Sequence, residues 1–101
     1  AVALAERAYK LAPQSPGVAD TYAWALITNN QPETALPLLV KAVKAAPGVP
    51  VIQYHLAVAQ ARTGDRAGAR TTLQALRKSG ADFQDKPAAE KLYQELLDTG
   101  K

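Results

Sequence analysis

The feature that most constrains this chain is an internal repeat with a period of 34 residues. Two segments align at this offset: LAERAYKLAPQSP (4–16) and LLVKAVKAAPGVP (38–50). The alignment brings Ala8 onto Ala42, and the same offset relates three small residues, Ala1, Ala35 and Ala69. A fixed period of this length is typical of arrays in which each unit packs only on its neighbours. We therefore expect a stack of similar units.

Turn and capping signals predict two helices in each unit. Ser15 followed by Pro16 is an N-cap with proline at the first helical position, and it opens a helix that runs to about Thr28. Asn30 can adopt a left-handed turn conformation, and Pro32 then begins a second helix. The remaining boundaries are predicted at Ala46, Pro50, Arg62, Gly64, Asp65 and Ser79.

One residue, Pro37, opposes the prediction for the second helix. It stands at the sixth position, where its ring disturbs the turn and removes one backbone hydrogen bond. This helix is therefore expected either to begin late, near Thr34, or to bend.

Length and composition favour a single all-α domain. The chain has 101 residues, enough for one domain with a modest core. Its apolar residues are mainly Ala, Leu and Val, with one Phe, one Trp and four Tyr. Such a composition suits closely packed helices better than aromatic-rich sheets.

A period of 34 residues, with each unit predicted as helix, turn, helix and proline, resembles the tetratricopeptide repeat. In the central unit, four residues match the second-helix half of that signature: Ala35, Leu39, Ala42 and Pro47. The first helix departs from it, because Ala19 and Tyr22 stand where the family carries Trp and Leu. The resemblance implies a right-handed helix-turn-helix solenoid. It divides the single domain, 1–101, into the second helix of a truncated repeat at 1–14, repeats at 16–49 and 50–83, and a capping helix at 85–99.

The expected capping helix is amphipathic. Asp85 can cap its start, Pro87 lies in its first turn, and Gly100 follows its end. Its apolar stripe consists of Ala89, Leu92, Tyr93, Leu96 and Leu97. A solenoid must cover the apolar face of its last repeat, and a one-sided helix does so. The alternative is an amphipath that binds a partner or a membrane surface, which would be expected to carry more basic residues on its polar face.

The chain offers little material for catalysis or metal binding. There is no cysteine, and the single histidine, His55, has no second ligand one helical turn away, where Val51, Ile52, Val58 and Ala59 stand. Ser15 is explained as a cap and has no base beside it. Gly64 and Gly68 do not form a phosphate-binding loop. We therefore expect no catalytic residue, no cofactor and no metal, and interpret His55 as a structural or surface histidine.

Charge and hydropathy also limit the kinds of partner. Twelve Lys and Arg against nine Asp and Glu give a net charge of +3, and the basic residues are scattered. Nucleic-acid binding would require a strongly basic stripe, so no nucleic acid is expected. No apolar run reaches the length of a membrane span, so this segment is not expected to insert into a membrane. Protein or peptide partners remain.

A second stripe on the first helices is a candidate binding surface. Residues three or four apart on a helix share a face. We expect one face, formed by Ala19, Tyr22, Ala23 and Leu26, to meet the second helix of the repeat. Asp20, Trp24 and Ile27 lie on a different face, and the resemblance implies that this second face lines a concave peptide groove. The candidate groove residues are Asp20, Trp24, Ile27, Tyr54, Val58 and Arg62. The alternative for Trp24 is packing between neighbouring first helices.

The groove differs from that of repeats that bind chaperone C-termini. Such repeats resemble one another in carrying Lys, Arg and Asn on this stripe, which clamp a terminal carboxylate. Here Asp20, Trp24, Tyr54 and Val58 stand at the matching positions, and an acidic, aromatic surface would not attract a carboxylate. A co-chaperone is therefore disfavoured.

Three segments carry a narrower resemblance: DTYAW (20–24), YHLAVAQARTG (54–64) and RKSGADFQDKPAAEKL (77–92). They resemble the C-terminal end of tetratricopeptide lipoproteins associated with bacterial exopolysaccharide production and PEP-CTERM protein sorting. The resemblance implies a non-enzymatic periplasmic scaffold, anchored to the membrane through a part of the protein outside this segment. The alternative is a cytoplasmic peptide-binding adaptor or co-chaperone.

The chain begins inside a repeat, so we interpret it as a piece of a longer protein. A first helix belonging to the truncated repeat at 1–14 would pack near Trp24. Without it, apolar surface is expected to be exposed there. Self-association through that surface would not establish a biological oligomer.

Overall fold

The computed structural model describes residues 2–98, which contain six α-helices and no β-strand. The all-α prediction is therefore confirmed for this range. The helices are α1 (Val2–Leu11), α2 (Pro16–Thr28), α3 (Pro32–Ala45), α4 (Pro50–Arg62), α5 (Arg66–Lys78) and α6 (Lys86–Asp98).

Local capping chemistry sets the helix boundaries where the sequence predicts them. The Ser15 hydroxyl accepts a hydrogen bond from the Val18 amide at 3.3 Å, and Pro16 occupies the first turn of α2. The Asp65 carboxylate likewise accepts from the Gly68 amide at 2.9 Å to open α5. Each cap satisfies one of the backbone donors that a helix start leaves without a partner.

The turn between the two helices of each repeat contains a left-handed residue. Asn30 has φ of 63° and Gly64 has φ of 95°. These two residues are 34 positions apart, so the turn geometry repeats with the period of the sequence. Asn and Gly are the residues that adopt this conformation at low cost.

Helix α3 does not begin late. It starts at Pro32 and continues past Pro37 to Ala45, so the expected start near Thr34 is wrong. Pro37 lacks the amide that would bond to the Glu33 carbonyl, but both residues are exposed and water can reach that carbonyl. The proline therefore costs α3 less than it would on a buried face.

The helices stack in chain order. Each helix packs on the next one, and α2 also packs on α4, so the first helices of the two repeats touch directly. The molecule is elongated, with extents of 40 × 26 × 20 Å. Contacts between neighbours in an elongated stack are the arrangement of an α-solenoid.

Two apolar clusters hold the stack together. The first joins α2, α3 and α4 around Ile27 and Leu39, and the second joins α4, α5 and α6 around Leu73 and Leu96. Alanines with no exposed surface bring the helix backbones close together: Ala23, Ala35, Ala57, Ala59 and Ala69. The shared helix α4 connects the two clusters into one core.

Helix α6 packs with the same spacing of buried residues as α4. Three of the five buried residues of α4, Ile52, Leu56 and Ala59, have counterparts 37 positions on in the buried residues of α6, Ala89, Tyr93 and Leu96. The period lengthens because the connector before α6 covers residues 79–85, whereas the connector before α4 covers residues 46–49. Leu97, expected in the apolar stripe, is instead 48% exposed. Of the polar residues of this helix, Lys91, Gln94, Glu95 and Asp98 are exposed, whereas Glu90 is half-buried. The predicted end signal Gly100 lies outside the described residues.

Candidate functional site

A cluster of three side chains, of which Asp20 and His55 are buried, joins the first helices of the two repeats. Nδ1 of His55 on α4 lies 2.7 Å from Oδ1 of Asp20 on α2, and the two side chains are only 8% and 12% exposed. The Trp24 ring stacks on the His55 imidazole, with centroids 4.0 Å apart and planes 15° from parallel. Hydrogen bonding and ring stacking therefore fix the relative position of α2 and α4.

An aromatic surface continues from this cluster along α4. The Tyr54 ring lies 6.2 Å from the Trp24 ring at an angle of 43°, and both residues are half-buried. Burial raises the pKa of the Tyr54 phenol, and the nearby Asp85 carboxylate raises it further. Tyr54 therefore keeps a neutral hydroxyl, able to donate or accept a hydrogen bond, well above neutral pH.

Next to Tyr54, a cleft of about 310 Å³ opens between α4 and α6. A cleft of this size is within the range, roughly 300–1,000 Å³, of small ligand sites. Four of its lining residues come from each helix: Tyr54, Val58, Ala61 and Arg62 from α4, and Ala88, Lys91, Leu92 and Glu95 from α6. We call the surface formed by Trp24 and these eight residues the groove.

Arg62 lies at the edge of the groove, where its guanidinium forms hydrogen bonds to the preceding repeat. Its guanidinium donates to the Ile27 carbonyl at 3.3 Å and to the Asn30 side-chain oxygen at 3.2 Å. The arginine thus ties the end of α4 to the turn of the previous repeat. Its position is fixed by these bonds, which limits how far it can reach toward a ligand.

Two of the six candidate groove residues do not belong to an open surface. Asp20 is buried and hydrogen-bonded to His55, and Ile27 is 1% exposed in the core. Both face the neighbouring repeat because the helix stripe that carries Trp24 turns toward α4. Trp24, Tyr54, Val58 and Arg62 retain exposed surface.

Trp24 contacts the helix that carries Tyr54. It packs against His55 and Tyr54, as in the alternative of packing between first helices, and it remains partly exposed. The interpretation of His55 as structural agrees with its burial. The partner of His55 could not be read from helical spacing, because Asp20 lies 35 residues away.

Tyr22 is oriented differently from the prediction. We expected it with Ala19 and Ala23 on the face toward α3, but it is half-buried and its ring lies 5.4 Å from Tyr9 on α1. Burial raises the pKa of Tyr22, and the adjacent Glu6 carboxylate raises it further. The side chain is too large for the close contact between α2 and α3, which buried alanines make instead.

Four groove residues on α6 were not among the predicted groove residues, because this helix was expected to cover the last repeat: Ala88, Lys91, Leu92 and Glu95. Finding them requires the buried residues of both helices, which the structure gives. When α6 is aligned on α4 by its buried residues, 37 positions apart, Lys91 and Glu95 correspond to Tyr54 and Val58. The cap therefore also supplies one wall of the groove.

No cluster of three or more His, Cys, Asp or Glu side chains that could hold a metal ion occurs within residues 2–98. Every buried side-chain nitrogen or oxygen in this range has a hydrogen-bond partner. Across the same range, no helix has the length and apolarity needed to span a membrane.

The paired helices, their stacking in chain order and the groove along their first helices define an α-solenoid repeat protein. The tetratricopeptide repeat family matches residues 26–97, which is most of the chain. The chain belongs to the tetratricopeptide repeat family. None of the curated proteins matches it. Membership of this family indicates a protein–protein interaction scaffold, and the fold is generally non-enzymatic.

Proposed function

We propose that the groove binds a peptide segment of a partner protein. The observation that carries this proposal is the continuous surface from the Trp24 and Tyr54 rings into the cleft between α4 and α6. Half-buried aromatic side chains offer large contact area with little loss of side-chain entropy on binding. Such a surface suits a peptide that places apolar side chains against it.

The rim of the cleft gives the bound segment an orientation. Lys91 and Glu95 lie one helical turn apart on α6, and Val58 faces them from α4. A rim with charges of both signs favours a peptide with mixed charges over a uniformly acidic or basic one. The chain therefore acts as a scaffold that holds its partner without altering it chemically.

The groove also argues against recognition of a free C-terminal carboxylate. Asp20 is engaged with His55, and the Arg62 guanidinium is engaged with the turn of the preceding repeat. Trp24, Tyr54 and Val58 supply no positive charge, and the positive charge of Lys91 is opposed by the Glu95 carboxylate one helical turn away. A cytoplasmic adaptor, the alternative function, would accordingly bind an internal segment of its partner.

For the cellular setting, we propose a periplasmic scaffold of a bacterial exopolysaccharide-export or PEP-CTERM protein-sorting system, anchored through a part of the protein outside this segment. What supports this setting is the resemblance of the segments at 20–24, 54–64 and 77–92 to the ends of such lipoproteins. The sequence upstream in the whole protein is the test. A signal peptide with a lipidation cysteine supports the setting, and a cytosolic start contradicts it in favour of the adaptor.

The groove is tested by selecting peptides from a random displayed library on the wild-type chain and measuring their affinity by titration calorimetry. Val58→Glu places a charge on the groove, and Val40→Glu makes the same change on the exposed face of α3. We expect Val58→Glu to weaken binding by about tenfold or more and Val40→Glu to leave it unchanged. Equal affinities for both variants, with circular dichroism showing both folded, would overturn the groove assignment.

A further inference from the structure

A second cleft, of about 680 Å³, lies between α5, the connector 79–85 and α6. The α6 residues that line it are Lys86, Ala89 and Glu90, whereas the groove uses Ala88, Lys91, Leu92 and Glu95. At 100° per residue, these two sets lie on opposite sides of the helix. We call this second site the connector cleft, and it does not depend on the proposed role of the groove.

The floor of the connector cleft is apolar. Leu73, Leu76 and Ala89 are buried beneath it, and Phe83 packs against the same cluster while remaining half-buried. Phe83 is the single phenylalanine of the chain, and it stands in the long connector that separates α5 from α6. The connector therefore places an aromatic side chain in the wall of the cleft and leaves the space between α5 and α6 open to solvent.

The mouth of the cleft is positively charged. Three cations, Arg77, Lys78 and Lys86, and one carboxylate, Glu90, line it, which leaves two positive charges in excess. The charge of Arg77 is paired with Glu90, because its Nε donates to both carboxylate oxygens, at 3.1 and 3.0 Å. Its guanidinium also lies 4.5 Å from the centre of the Tyr93 ring. The excess charge is thus carried by Lys78 and Lys86.

Neither lysine has an ion pair within residues 2–98. The acidic residues of the connector, Asp82 and Asp85, do not line the cleft, and the Asp85 carboxylate acts on Tyr54. The Arg77–Glu90 pair joins α5 to α6 and sets their separation at the cleft. A positive mouth over an apolar floor complements a ligand with one apolar group and flanking carboxylates.

We propose that the connector cleft binds a short acidic segment of a protein partner, which inserts one large apolar side chain against Leu73, Leu76 and Phe83 and places its carboxylates beside Lys78 and Lys86. The volume exceeds that of one side chain and falls within the range, roughly 300–1,000 Å³, typical of ligand sites. The walls mix apolar residues with Gln74 and the Arg77–Glu90 pair. Mixed walls fit a peptide better than an acyl chain, which needs an apolar channel throughout its length.

The test uses a short fluorescein-labelled peptide with a central phenylalanine flanked by glutamates, followed by fluorescence anisotropy at low salt. Two comparison peptides carry alanine in place of phenylalanine, or lysine in place of glutamate. We expect the first peptide to bind and both comparison peptides to lose binding. In the ¹⁵N-labelled protein, the peptide should shift the amide resonances of Leu76, Lys78 and Phe83 and leave those of Val58 and Leu92 in place.

The double variant Lys78→Glu with Lys86→Glu reverses the charge at the mouth and should weaken binding by about tenfold or more. The matched control, Lys41→Glu with Lys44→Glu, makes the same change in net charge on α3 and should have no such effect. Equal losses in the two double variants would overturn the proposal in favour of nonspecific attraction. So would unimpaired binding of the alanine peptide, or resonance shifts produced by decanoate with none produced by the peptide.

Discussion

Asp20 and His55, 35 residues apart in sequence, form a buried hydrogen-bonded pair with their side-chain atoms 2.7 Å apart. Replacing Asp20 by alanine leaves the His55 imidazole buried without its partner. Loss of one partner of a buried polar pair costs roughly 1–3 kcal/mol. We expect Asp20→Ala to lower the free energy of unfolding by this amount, measured by urea denaturation followed by circular dichroism.

The control for this variant is the exposed pair of Lys10 and Glu6, whose charged atoms are 3.9 Å apart. Exposed ion pairs contribute between about 0 and 1 kcal/mol. Lys10→Ala should therefore change stability little. If both variants destabilise equally, the buried pair has no special role in joining the repeats.

Gly64 provides a test of the turn geometry. Its φ of 95° is unfavourable for a residue with a Cβ atom, although no atom lies within 4 Å of the Cβ position. We expect Gly64→Ala to destabilise the chain by about 1–2 kcal/mol through backbone strain alone. Gly48→Ala, also in open space but without a positive φ, should be nearly neutral or slightly stabilising. Thermal unfolding of the two variants measures the difference.

Leu39 tests the packing of the first core cluster. It has no exposed surface, so Leu39→Ala should leave a cavity and cost about 2–5 kcal/mol. Its neighbour Val40 is 40% exposed, and Val40→Ala should cost far less. Chemical denaturation of both variants gives the comparison, and similar losses would contradict the burial of Leu39 and the exposure of Val40.

Tyr22 and Tyr54 predict the response of the protein to alkaline pH. Burial raises the pKa of both phenols above the ordinary value of about 10, with Glu6 adding to the effect at Tyr22 and Asp85 at Tyr54. The unfolded chain therefore loses these protons first. The stability that these two phenols contribute should be constant below about pH 10 and fall as pH rises through the raised values.

The titration of tyrosine absorbance should show this difference directly. In the folded protein, part of the absorbance change should occur at higher pH than in the urea-unfolded chain. Tyr54→Phe removes one of the two groups and should reduce the alkaline loss of stability. A folded chain whose tyrosines all titrate as in urea would contradict the burial of these phenols.

The helices could be predicted from the sequence because their boundaries depend on short-range chemistry. Ser15, Asp65 and the left-handed residues Asn30 and Gly64 act within their own turns, and the structure places them as expected. The start of α3 was predicted wrongly because the energetic cost of Pro37 depends on whether its face of the helix is exposed. That exposure is set by the neighbouring helices.

The groove was only partly predictable, for a different reason. Whether Asp20 lines an open surface depends on a histidine in the next repeat, and helical spacing carries no information about contacts over that distance. The contribution of Lys91 and Glu95 depends on the length of the connector 79–85, which shifts α6 along the repeat. Relations between repeats therefore require the packed structure.

The packing of helices in chain order also determines how the molecule folds. The principal contacts join helices that are first or second neighbours along the chain, so each contact closes a short loop at a small entropic cost. Chains dominated by such local contacts fold fast, without waiting for distant segments to meet. Opening should start at the ends, where α1 and α6 each pack mainly on one neighbouring helix. Amide hydrogen exchange should accordingly be slowest in α2 to α4 and progressively faster toward both termini.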